Sequence, residues 1–152
     1  MKCEKLDLGS GGRRFKGYVS LDNDPTTEPD VLCDIESGLP FDDRSFSEVR
    51  AYHILEHIHT EKKTFVMNEI WRVLKKDGIA DIRLPAFPST QSVQDPTHVS
   101  FWCRGSFMYY EHDNAFRNAL ARRSHEPIPS FHIVKYNLEN GWHLKIKLKA
   151  VK

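Results

Sequence analysis

In the first half of the chain, apolar residues fall in short runs that each stop at glycine or aspartate, the pattern of buried strands ending in tight turns. Glu4 to Leu8 runs into Gly9-Ser10-Gly11-Gly12, Tyr18 to Leu21 stops at Asp22-Asn23-Asp24-Pro25, and Val31 to Cys33 stops at Asp34. A fourth run, Ser47 to Tyr52, leads into His53-Ile54-Leu55-Glu56-His57. Between Glu61 and Lys76 the period lengthens. Val66, Ile70, Val73 and Leu74 recur at helical spacing, Thr60 stands where a cap belongs, and Gly78 follows the end. Lys75 and Lys76 would complement the negative end of that helix's dipole. Ile79 to Leu84 reads as a fifth strand. A loop-rich stretch from Ala86 to His98 and an aromatic segment from Phe101 to Phe116 precede a closing hairpin. Its arms are Phe131 to Leu138 and Trp142 to Val151, turning at Glu139-Asn140-Gly141.

This order predicts an α/β fold, with a mostly parallel sheet whose carboxyl edge carries the functional residues and whose side is extended by an antiparallel hairpin. With 152 residues the chain has room for one core. Lys and Arg number 22 against 21 Asp and Glu, so no overall basic field draws it to nucleic acid. The apolar runs are far shorter than the ~20 residues of a membrane helix, and Glu4, Lys5 and Asp7 interrupt any signal peptide, which makes a cytoplasmic location the expectation. Cys3, Cys33 and Cys103 are odd in number and widely spaced, as expected of reduced thiols.

Three features fall at successive strand ends: the glycine turn, Asp22 and Asp34. Glycines there let a ligand approach the backbone, an acid after the second strand accepts from both hydroxyls of a ribose, and one after the third accepts from an adenine amino group. Each also has a plain reading, with Gly9 and Gly11 as turn residues, Asp22 as part of a turn and Asp34 as a cap. The ordered set favours an adenosine ligand. Arg14 replaces the third glycine of a dinucleotide fingerprint, and no Gly-Lys-Ser/Thr follows, so neither NAD nor ATP hydrolysis is indicated.

Leu6-Asp7-Leu8-Gly9-Ser10-Gly11-Gly12, Ser20-Leu21-Asp22, Cys33-Asp34-Ile35, Leu39 to Phe46, His53 to His57 and Glu69 to Gly78 resemble, in order, the motifs of class I S-adenosylmethionine-dependent methyltransferases, in particular the small type-11-like group. The resemblance covers roughly residues 4 to 98. It implies a reduced Rossmann-like three-layer sandwich and S-adenosylmethionine as cofactor. Asp7, Gly9, Ser10 and Gly11 would hold the methionine part, Asp22 with Asn23 the ribose, and Asp34 with Ile35 the adenine. His53 would lie near the methionine end. The whole chain is then a single domain over 1–152, with 1–85 as the cofactor-binding half, 86–130 as a substrate-side insertion and 131–152 as the closing hairpin.

Two departures stand out. The glycine turn and Asp22 are too close to hold a full first helix, and no cap precedes the first strand, so substrate contacts are expected from residues 85–130 or from another chain. A module that binds the cofactor without catalysis, or only with a partner, is the alternative.

His53-x-x-Glu56-His57 spells a zinc-hydrolase motif, but that chemistry needs the segment on a helix, and here it leaves a strand. No metal is expected. For general acid/base work the candidates are His98 and Asp95 in Gln94-Asp95-Pro96-Thr97-His98, which also reads as a plain turn. No Asn/Asp-Pro-Pro-Tyr follows the fourth strand, which disfavours methylation of DNA amino groups. The methyl acceptor, a small molecule or one of another class, is not identified by these motifs, and no membrane partner is expected. Phe101, Trp102, Phe107, Met108, Tyr109 and Tyr110 suit a core, a substrate pocket or a dimer face. Arg117, Arg122, Arg123 and His125 suit a solvated face or an anion site.

Overall fold

The computed structural model describes residues 4–152, so the reading of Cys3 lies outside the described residues. Seven strands form one sheet in the order β3-β2-β1-β4-β5-β7-β6, from β1 (Lys5–Leu8), β2 (Val19–Asp22), β3 (Val31–Leu32), β4 (Phe46–Tyr52), β5 (Leu74–Pro85), β6 (Phe131–Glu139) and β7 (His143–Ala150). β1 to β5 run parallel, and β7 inserts antiparallel between β5 and β6. The hairpin turns through a three-residue loop between the paired Glu139 and His143, in which Asn140 and Gly141 take φ of 53° and 73°, both positive.

Strand alternation splits the sheet into two unlike faces. One carries Leu6, Leu8, Val49, Ala51, Ile82, Leu84 and Ile146, all fully buried. Helix α1 (Lys63–Val73) sets Val66, Met67, Ile70 and Val73 into the same core. Three shorter helices follow: α2 (Thr90–Val93), α3 (Arg104–Met108) and α4 (Ala115–Ala121). Of the aromatic segment, Trp102, Phe107 and Tyr110 are buried in the core, whereas Phe101 stays exposed.

The other face is polar, although parallel strands are usually apolar on both sides. The reduction of the sandwich falls on this layer, because residues 9–18 form turns instead of a first helix. Arg50 donates to both carboxylate oxygens of Asp7 at 2.8 and 2.6 Å, across the β1–β4 register that pairs these residues. Tyr18 donates to Glu48 at 2.6 Å, Tyr52 donates to Asp81 at 3.1 Å, and Lys147 reaches Asp81 at 2.8 Å. Phe15 lies 3.5 Å from the Arg50 guanidinium and shields it from water in place of a helix.

The expected helix from Glu61 to Lys76 is corrected at both ends. A 3-10 turn, Thr60–Lys62, precedes it, and the Thr60 hydroxyl donates to the Val99 carbonyl at 3.4 Å instead of capping. At the other end Leu74 is extended (ψ 141°) and pairs with Phe46, so Lys75 and Lys76 lie on β5, where Lys75 meets Glu4 at 2.8 Å. Burial of Val73 and Leu74 on successive elements outweighs the helical period.

Removing one member of a buried ion pair leaves the other uncompensated. Arg50→Ala is expected to cost about 3–5 kcal/mol in urea unfolding, while the double change Asp7→Leu/Arg50→Met costs far less, since replacing a buried pair by apolar residues is often near neutral.

Candidate functional site

At the carboxyl edge, β1 ends in a turn built around two backbone donors. Gly9 and Ser10 N–H both point at the Leu21 carbonyl, at 2.9 and 3.2 Å, which folds the turn over the end of β2. Asp22 closes it. One carboxylate oxygen accepts from Gly11 N–H at 2.8 Å and the other from Asp24 N–H at 3.0 Å. Asp34 accepts from Glu36 N–H at 2.9 Å and caps the short turn Ile35–Ser37. The plain readings of Asp22 as a turn residue and Asp34 as a cap therefore hold together with their place at the site. Gly9, Asp22, Asn23, Asp34 and Ile35 line one pocket, walled by Leu21, Ile54 and Ile58.

A second pocket shares Gly9 and opens onto the polar sheet face. It collects Asp7, Ser10, Gly11 and His53 of the expected set. Asp7 does not point freely into it, being 4% exposed and held by Arg50. His53 sits at φ 55°, turning the chain out of β4, with its N–H donating to the Arg83 carbonyl at 2.8 Å and its ring stacked on His143 at 5.1 Å. Burial, with the neighbouring charge of His53, holds His143 below its ordinary range. Sequence reasoning missed Arg13, Arg50, Tyr52, Arg83 and His143 in this pocket. The available signal was the polar half of the strand alternation, which puts Arg50 and Tyr52 on one side of β4.

His98 and Asp95 come together, with His98 Nε2 3.8 Å from Asp95, but neither lines these two pockets. His98 stands behind His57, ring against ring at 4.9 Å. The zinc-hydrolase spelling is not realised as a helix: Leu55–His57 is a 3-10 turn, and His53 Nδ1 lies on Glu56 Oε1 at 3.2 Å, apart from His57. Arg117 donates to the carbonyls of Pro129 and Ile128, whereas Arg122, Arg123 and His125 are exposed. Cys33 and Cys103 are free thiols.

Glu36 and His59 rim the first pocket as an ion pair at 3.0 Å. Burial alone would raise Glu36, but bonds from the His59 backbone and ring hold its carboxyl below the ordinary range. Glu36 in turn raises His59 above 6.5 by hydrogen bonding and charge. The pair is thus fully charged above ~4.5 and below ~6.5, and its contribution is lost as pH rises through the raised imidazole value or falls through the lowered carboxyl value. In an NMR titration His59 should titrate above its ordinary range, and Glu36→Gln should lower it, with Glu61 and Asp34 still acting in the same upward direction. Gly9 and Gly11 both have positive φ, but a Cβ on Gly9 would meet the Ile54 side chain at 2.8 Å, while one on Gly11 meets nothing within 4 Å. Gly11→Ala is expected to cost only the left-handed backbone, about 1–2 kcal/mol in urea unfolding, and Gly9→Ala clearly more.

Among curated proteins none matches the chain's sequence. Solved structures share its fold. A chain from a complex containing the Haloferax volcanii Trm112 methyltransferase activator is 16% identical with a TM-score of 0.68, covering 97% of this chain and 82% of its own. Burkholderia thailandensis 1,6-didemethyltoxoflavin-N1-methyltransferase, solved with bound 1,6-didemethyltoxoflavin and S-adenosylhomocysteine, is 16% identical with a TM-score of 0.61, covering 97% of this chain and 71% of its own. An Archaeoglobus fulgidus SAM-dependent methyltransferase is 12% identical with a TM-score of 0.62, covering 95% and 85%. The methyltransferase domain family matches residues 6–82, through the glycine turn, both acids and the strand after α1, and the chain belongs to that family of class I S-adenosylmethionine-dependent methyltransferases.

Proposed function

We propose that the chain transfers a methyl group from S-adenosylmethionine to a small acceptor, with the adenosine half of the cofactor in the first pocket and its amino-acid end in the second. The observation that carries this reading is the order of chemistry along one edge: glycine turn, Asp22 and Asp34 at the ends of β1, β2 and β3, around a pocket with apolar walls. Asp22 retains lone pairs beyond its two backbone bonds, which suits a ribose diol, and Asp34 retains acceptor capacity for an adenine amino group. Leu21, Ile35 and Ile54 supply apolar surface for the base. In the second pocket Arg13 and Arg83 suit a carboxylate, and Arg83 Nε, 4.0 Å from Asp81, has no hydrogen-bond partner among the described residues.

The cofactor supplies a methyl on a positively charged sulfur, and the protein's task is alignment and exclusion of water. The second pocket has the aromatic surface of Phe15 and Tyr52 beside its arginines, which fits a flat acceptor with an anionic group. The Burkholderia enzyme, solved with bound 1,6-didemethyltoxoflavin, supports a small acceptor. His53 and His143 are the imidazoles in this lining, so they, ahead of His98 and Asp95, stand where an acceptor would release a proton. The uncovered polar face favours a second reading, in which a partner chain completes the acceptor side, and the Haloferax neighbour's activator complex supports it.

Calorimetric titration tests the cofactor site. S-adenosylmethionine and S-adenosylhomocysteine should bind and NADH should not. Asp22→Ala should weaken both by about 10–100-fold, as loss of a charge-assisted hydrogen bond implies. No binding by the wild type at sub-millimolar concentration would sink the reading.

A further inference from the structure

The turn after β4 and the loop after α2 are locked together. Val99 and Ser100 N–H both donate to the Glu56 carbonyl, at 2.9 and 3.1 Å, and Ser100 Oγ and Trp102 Nε1 both donate to the Leu55 carbonyl at 3.0 Å. This docking brings a carboxylate oxygen of Glu56, a ring nitrogen of His57 and a ring nitrogen of His98 within 4.8 Å of one another. Glu56 is 2% exposed, and its Oε2 has no hydrogen-bond partner among the described residues. A buried carboxylate oxygen without a donor is costly, which calls for a cation.

The two histidines are held in a tautomer that metal ligands use. Nδ1 of His57 lies 3.0 Å from the Thr97 carbonyl and Nδ1 of His98 lies 3.3 Å from the Ser92 carbonyl. A carbonyl only accepts, so in both rings Nδ1 carries the hydrogen and Nε2 keeps its lone pair. Asp95 uses Oδ1 for the Thr97 backbone and hydroxyl, while Oδ2 stands 3.8 Å from His98 Nε2.

We infer that Glu56, His57 and His98, with Asp95 as fourth donor, form a zinc site. Two imidazoles and two carboxylates are a zinc donor set, and four protein donors close a tetrahedral shell. Bonds of about 2.1 Å place donors about 3.4 Å apart, so the first three close by at most about 1.4 Å on binding. The site is a clamp that ties residues 95–98 to the strand edge and fixes His57, which lines the first pocket. It is distinct from the hydrolase spelling, because His53 takes no part, and it does not depend on methyl transfer.

The test uses the untagged full chain, stripped with chelator, loaded with two equivalents of Zn²⁺ and desalted, with metal measured by mass spectrometry. About one equivalent should remain in the wild type and in His59→Gln and His132→Gln. Less than about 0.2 should remain in His57→Gln, His98→Gln and Glu56→Gln, with folding checked by circular dichroism. Less than about 0.1 equivalent in the wild type, or equal loss in the two control variants, overturns the site. Should the ligand variants not fold, Co²⁺ in the wild type decides: an intense visible spectrum of tetrahedral cobalt supports the site, and a weak octahedral one overturns it.

Discussion

A parallel sheet that packs helices on only one face must satisfy the other face with its own side chains, and the Asp7–Arg50 pair is where this chain does so at the sheet's centre. β1 and β4 are the two inner strands that meet there, and their register sets acid opposite base. Neither charge is left in water, with side-chain exposures of 6% and 8%. The fork of the guanidinium answers both carboxylate oxygens, so the desolvation cost is met by two charge-assisted hydrogen bonds. Phe15, Tyr18 and Tyr52 lie within 3.5 to 4.9 Å of the same guanidinium and occupy part of the volume a helix would fill.

The same constraint shapes the site. Without a first helix, the turn after β1 has no helix N-terminus to stiffen it, and its amides are held instead by the Leu21 carbonyl and the Asp22 carboxylate. Asp22 therefore sets the shape of the turn and offers its remaining lone pairs to a ligand, two roles that stem from one position at the end of β2. The polar face does further service. Arg50 and Arg83 on that face, joined by Arg13 from the turn after β1, form the cationic wall of the second pocket.

The succession of strands along the chain, the hairpin and the strand-end acids were legible in the sequence because they rest on local signals: short apolar runs, Asn-Gly at the turn, and glycine or aspartate at the strand ends. The helix boundary was not. Leu74 fits a helical period as well as a strand, and only its partner Phe46, 28 positions away in sequence, decides between them. The second pocket was missed for a related reason. Polar residues at alternate strand positions ordinarily mean solvent, and Arg50 acquires its meaning from Asp7 on another strand.

The histidine motif shows how spacing and geometry part. On an α-helix, His53 and His57 would share a face at four residues' separation. In this chain His53 takes a left-handed backbone at the strand's end and Leu55–His57 winds as a 3-10 turn, in which residues three apart eclipse. His53 Nδ1 meets Glu56 Oε1, and His57 turns to the 95–98 loop. The partner that completes the group, His98, lies 41 positions on from His57 and comes close only because the Leu55 and Glu56 carbonyls gather the donors of residues 99–102. No local pattern encodes that approach; it depends on two carbonyls of the 3-10 turn after β4 accepting from a loop more than 40 positions on.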